Sequence, residues 1–76
     1  MTDFVSNEGK KMIKINGKEA EVILGATVEQ MLLEQGFSLQ RVAVERNGEI
    51  LPKSIYAKEE VRDGDVFEVV SFVGGG

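Results

Sequence analysis

The order of segments in this 76-residue chain predicts an α+β domain of β-grasp form, a mixed sheet of four or five strands wrapped around one main helix. Three observations carry that prediction. Asn16-Gly17 and Asn47-Gly48 each sit between strand-like runs, and a tight hairpin needs such a pair because a type I′ turn demands positive φ at both central residues. Between the two pairs lies a single helical signature, Thr27-Val28-Glu29-Gln30 followed by apolar residues at helical spacing. The chain then closes on one near-continuously apolar run, residues 66–72, as expected of a central strand. A hairpin, a return through a helix and a final strand place the first and last strands side by side and parallel, consistent with the handedness of crossover connections.

Residues 1–11 are polar and lack a sustained period, so they read as a disordered extension or a start-site artefact, with the domain taken as 12–76 and its boundary at Met12. Residues 12–15 alternate and point Ile13 and Ile15 inward. Beyond the turn, residues 19–24 send Ala20, Val22 and Leu24 inward and Glu19 and Glu21 to water. Gly25-Ala26 breaks the strand. Thr27 and Gln30 form a capping box, with Val28, Met31, Leu32 and Gln35 near one stripe and Leu33 on its flank. The stripe is core rather than binding groove, because so small a domain has little apolar material to spare. Gly36 supplies the left-handed residue that ends the helix, and Phe37 and Leu39 pin the connection back onto the core.

Residues 41–46 alternate again, with Val42 and Val44 inward and Ala43 and Glu45 outward. Residues 49–51 pair briefly until Pro52 withdraws a donor, which marks an edge position. Residues 53–60 are weakly helical, and Ile55, Tyr56 and Val61 cover the sheet edge. Arg62-Asp63-Gly64-Asp65 is a turn; two carboxylates flanking a glycine suggest a metal loop, but their ordinary reading is solvated turn residues. The last strand turns Phe67 and Val69 inward. Its other parity, Glu68, Val70 and Phe72, then forms an outward apolar strip joined by Ala43, with Glu45 beside it. That strip is either a partly covered sheet face or, as exposed apolar patches often are, an interaction site.

Composition narrows the function. A chain of this length buries only about 60% of its unfolded surface, too little to build a deep catalytic cleft. Cysteine and histidine are both absent, which removes disulfides, thiolate metal sites and the commonest general base. A net charge of −4 argues against nucleic acid and anionic membranes and for proteins with basic or apolar docking sites. The first residues contain no apolar signal region and nothing resembles a spanning segment, so the expected location is cytoplasmic. No catalytic residue, metal ligand or bound cofactor is expected.

The sequence closes on Gly74-Gly75-Gly76. Glycine has no Cβ, so this stretch has no side-chain collar, and the four residues after Phe72 reach at most about 13 Å when extended. That suffices to carry a carboxylate into another protein's active site. A chain-terminal glycine run is alternatively simple fraying.

Met12-Ile13-Lys14-Ile15-Asn16-Gly17-Lys18, Val44-Glu45-Arg46-Asn47 and Phe72-Val73-Gly74-Gly75-Gly76 together resemble the ThiS family, the ubiquitin-like sulfur carriers of thiamine thiazole biosynthesis. The diglycine ending alone is shared with ubiquitin and the small subunit of molybdopterin synthase; the combination is more specific. The resemblance spans 12–76 and leaves out the extension. It implies that the Gly76 carboxylate is adenylated by an E1-like adenylyltransferase of ThiF type, which uses ATP and Mg. It further implies that a cysteine desulfurase or related donor supplies sulfur to form a thiocarboxylate, which a thiazole synthase of ThiG type consumes. Gly74 and Gly75 thread a narrow channel in that reading, and Glu68, Val70, Phe72, Ala43 and Glu45 dock the partner. Two other readings stand beside it: a molybdopterin synthase small subunit with the same terminal chemistry, and a ubiquitin-like modifier that forms isopeptide bonds.

Overall fold

Two asparagine–glycine turns set the sheet's register in the computed structural model, which describes residues 9–72. Asn16 and Asn47 adopt φ of 51° and 52°, and Gly17 and Gly48 adopt 84° and 87°, the paired left-handed geometry that a two-residue hairpin requires. The first turn joins β1 (Lys10–Ile15) to β2 (Lys18–Ile23), and the second joins β3 (Val42–Arg46) to β4 (Glu49–Leu51). Helix α1 (Val28–Glu34) lies between the hairpins and β5 (Val66–Ser71) follows them. The sheet order is β2-β1-β5-β3-β4, with β1 parallel to β5 and every other pair antiparallel. The mixed five-stranded sheet, with the one α-helix found among the described residues packed on it, is the expected β-grasp.

β1 begins two residues before the Met12 boundary. Lys10 pairs with Ile23 and Lys11 with Val22. Hydropathy could not show this, because ladder hydrogen bonds are blind to side chains; the Lys11 ammonium reaches the Val61 carbonyl at 2.9 Å and Glu60 at 3.3 Å. At the other end of the hairpin, Leu24 is exposed rather than inward, because β2 stops at Ile23 and the chain turns through Gly25 at φ 88°. Gln35, grouped with the helix stripe by spacing, is also exposed, since the helix ends at Glu34.

One face of the sheet and the helix enclose the core: Ile13, Ile15 and Val22 from the first hairpin, Val42 and Val44 from β3, Phe67 and Val69 from β5, with Val28, Met31 and Leu32 from α1. Phe37 and Leu39 pack against it. Tyr56 and Val61 belong to the core itself and only Ile55 stays half-buried, so the 52–61 segment is more than an edge cover. Its helical content is a short 3₁₀ turn, Lys53–Ile55. This segment also completes the start of α1. The four amides that no helix satisfies internally all find acceptors: Thr27 N–H donates to the Gln30 side chain, Val28 N–H to the Glu59 carbonyl, Glu29 N–H to the Tyr56 carbonyl and Gln30 N–H to the Thr27 hydroxyl. A helix of seven residues is too short to persist alone, and these contacts with the core hold it.

Asp65 departs from the solvated-turn expectation. It is only 5% exposed, and its carboxylate accepts from the Arg62 amide, the Asn47 side chain and Arg46. Arg46 also reaches Glu59 at 2.7 Å and the Glu60 carbonyl at 2.8 Å, while its guanidinium lies 6.0 Å from the centre of the Phe67 ring. Burial pushes the Asp65 carboxyl up, but these donors and the guanidinium charge outweigh it and hold it below the usual carboxylate range. The cluster fastens the start of β5 to β3. Asp63, by contrast, is exposed and accepts from the Met12 amide at 2.8 Å.

Candidate functional site

β5 alternates, so the parity that buries Phe67 and Val69 turns Glu68 and Val70 out onto the sheet face that α1 does not cover. Register brings the expected partners beside them: Ala43 stands opposite Val70, and Glu45 opposite Glu68. Phe72, one residue beyond the strand, stays in line because its amide donates to the Arg41 carbonyl at 2.7 Å. Val70 and Phe72 are 57% and 55% exposed. All five residues expected on this face are exposed.

Ile50 belongs to the same surface and was missed. It is 79% exposed, pairs with Glu45 across β3 and β4, and lines a shallow depression with Ala43, Glu45, Glu68 and Val70. A signal was available: a two-residue loop at 47–48 forces Arg46 opposite Glu49 and therefore Glu45 opposite Ile50, which share a face.

The charges on this face are arranged unevenly. On the β1–β2 side Lys10 and Glu21 lie 3.5 Å apart and Lys14 stands opposite Glu19. On the β3–β5 side two carboxylates, Glu45 and Glu68, face each other directly, and neither joins an ion pair among the described residues. Like charges in that position weaken a sheet. Folding alone gives no reason to place them there.

Asn16 contributes by holding β5 rather than by facing outward. Its side chain accepts from the Val69 amide at 2.7 Å and donates to the Val69 carbonyl at 3.1 Å, standing in for the next residue of a strand after β1 has turned away. The residue is therefore both turn and clamp. The expected attachment point Gly76, with Gly74 and Gly75 before it, lies outside the described residues. Among the described residues, no group of three or more acidic, histidine or cysteine side chains is placed to hold a metal ion, and no helix is long and apolar enough to cross a membrane.

Comparison with known proteins fits this geometry. Residues 13–76 match the model of the ThiS family. The sulfur carrier protein ThiS of Bacillus subtilis is 39% identical over 66 residues, covering 86% of this chain and all of that protein. A thiazole synthase of Paramagnetospirillum magneticum is 53% identical over 62 residues, covering 82% of this chain but only 19% of that protein; a second, from Magnetococcus marinus, is matched over 20% of its length. The chain thus spans about a fifth of the length of these synthases. The crystal structure of a thiamine biosynthesis protein (ThiS) from Geobacter metallireducens superposes with a TM-score of 0.70 at 32% identity, covering 86% of this chain and 99% of that one.

Proposed function

The chain belongs to the ThiS family, and from that premise we propose that it is the sulfur carrier of thiazole formation in thiamine biosynthesis, with the carboxyl group of Gly76 as the group that carries the sulfur. A carboxylate is a poor electrophile. Attack of its oxygen on the α-phosphate of ATP expels pyrophosphate and leaves an acyl-adenylate. The outer sulfur of a donor persulfide displaces AMP to form an acyl disulfide, and a thiol then cleaves the S–S bond, leaving the thiocarboxylate and a disulfide. The adenylation chemistry, ATP and Mg belong to an E1-like adenylyltransferase of ThiF type, and the sulfur comes from a cysteine desulfurase or a related donor. The chain itself is a protein cosubstrate rather than an enzyme, and we place it in the cytoplasm, where ATP is supplied.

What supports this reading most is the outward face of β5, which runs through Glu68, Val70 and Phe72 to within four residues of Gly76. In this reading Ala43, Glu45, Ile50, Glu68, Val70 and Phe72 dock the body on the activating enzyme, and the unpaired carboxylates meet a cation there. Gly74 and Gly75 let the backbone pass a constriction that a β-branched residue would block. A thiazole synthase of ThiG type is the proposed consumer, supported by the occurrence of the matching segment inside thiazole synthase chains. Intact mass after incubation with the activating enzyme, ATP, Mg and a sulfur source tests the proposal. The expected product has one oxygen replaced by sulfur; an unchanged mass, with the same enzyme active on another carrier, would refute it.

A further inference from the structure

The main-chain groups of β5 fall into two series. Val66 accepts from the Asn47 amide and Phe72 donates to the Arg41 carbonyl, so the even positions 66, 68, 70 and 72 turn their hydrogen-bonding groups toward β3. Asp65 accepts from Lys14, Phe67 accepts from Asn16, and Val69 is bound at both its N–H and its C=O by the Asn16 side chain, so the odd positions turn theirs toward β1. Ser71 is next in the odd series. By then β1 has left through Gly17, and neither the N–H nor the C=O of Ser71 has a partner among the described residues.

The central strand of the sheet therefore outruns its neighbour on one side. An unpaired stretch on an extended strand is a template for another chain. Here it lies next to exposed Val70 and Phe72, on the stretch of chain that leads to Gly76. We propose that the activating enzyme adds an extended segment of its own beside Ser71, pairing with its N–H and C=O. The inference rests on the function proposed above. It gives the body a second attachment in addition to the outward face, one that reads backbone rather than side chains and directs the chain as a strand toward the nucleotide. The Asn16 carboxamide sets where this added strand begins, because it occupies Val69 and leaves Ser71 free.

Amide hydrogen exchange on the full chain, alone and with a saturating amount of its adenylyltransferase, tests this directly. Ser71 exchanges freely in the free chain and becomes protected by about tenfold or more in the complex. Ser71→Pro removes the N–H without removing a bond to β3, so it keeps the thermal midpoint within a few degrees and weakens binding to the enzyme by about tenfold, while Ser71→Ala changes neither. Adenylation of the wild-type chain with Ser71 still exchanging freely in the complex would overturn this inference and leave the proposed function standing. No adenylation of the wild-type chain would remove both. Protection of Ser71 in the free chain that grows with concentration would identify a second copy as the occupant and also overturn it.

Discussion

The two faces of β5 share one backbone and differ in almost everything else. On the inner face Phe67 is fully buried against α1 and beneath the Arg46 guanidinium, and Val69 sits beside it; on the outer face Glu68, Val70 and Phe72 stand in solvent, with a like charge opposite the first. Inner residues satisfy every rule for stability, and outer residues break two, by exposing a contiguous apolar strip and by setting carboxylate against carboxylate. The difference teaches where to look for function, since departures from folding logic concentrate at sites selected for something else.

Substitutions sharpen the contrast in order of expected effect. Phe67→Ala, on the inner face, should cost about 3–5 kcal/mol of stability, a large share of what so small a domain has, and chemical denaturation reads it directly. Asp65→Ala leaves Arg46 inside the cluster without its buried counter-ion and should cost about 3 kcal/mol by the same measurement. Asn16→Gly keeps the turn's positive φ and removes only the carboxamide bonds to Val69, so about 1–2 kcal/mol is expected. On the outer face Glu68→Lys together with Val70→Asp should shift stability by no more than about 0.5 kcal/mol while lowering the rate of adenylation more than tenfold, an inversion of the inner-face result. Unchanged adenylation kinetics in that variant would dissolve the comparison.

Acid offers a further test. The Asp65 carboxyl is held below its ordinary value in the folded chain, so the unfolded chain binds its proton first as pH falls. The stability it contributes is present above about pH 4, the usual unfolded value, and is lost as pH drops through the lower folded value. Denaturation midpoints between pH 6 and pH 2 should fall less steeply in Asp65→Asn than in the wild type; parallel curves would show that Asp65 is not the group responsible.

Alternation, capping and turn chemistry made most of the fold legible in the sequence, because each is a local signal. Asn16-Gly17, the Thr27–Gln30 box and the two parities of β5 are set by residues within a few positions of one another. What escaped reading was set at a distance. Lys10 and Lys11 join β1 through backbone bonds that hydropathy does not report, and Asp65 looks like any turn carboxylate until the fold brings Arg46 and Asn47 to it. Tyr56 and Val61 enter the core because the 52–61 segment supplies acceptors for the helix amides, a demand made by a different part of the chain. The outward face was read correctly in five of its residues, and Ile50 was lost for want of carrying the hairpin register one pair further.

The central claim is that the folded body serves a single carboxyl group at Gly76. Mass spectrometry of the intact chain and of a form lacking Gly75 and Gly76, each incubated with the activating enzyme, ATP, Mg and a sulfur donor and then with thiazole synthase, measures it most directly. The account predicts that the intact chain exchanges one oxygen for sulfur and supports thiazole formation and that the shortened chain does neither. Sulfur delivery by the shortened chain would contradict it.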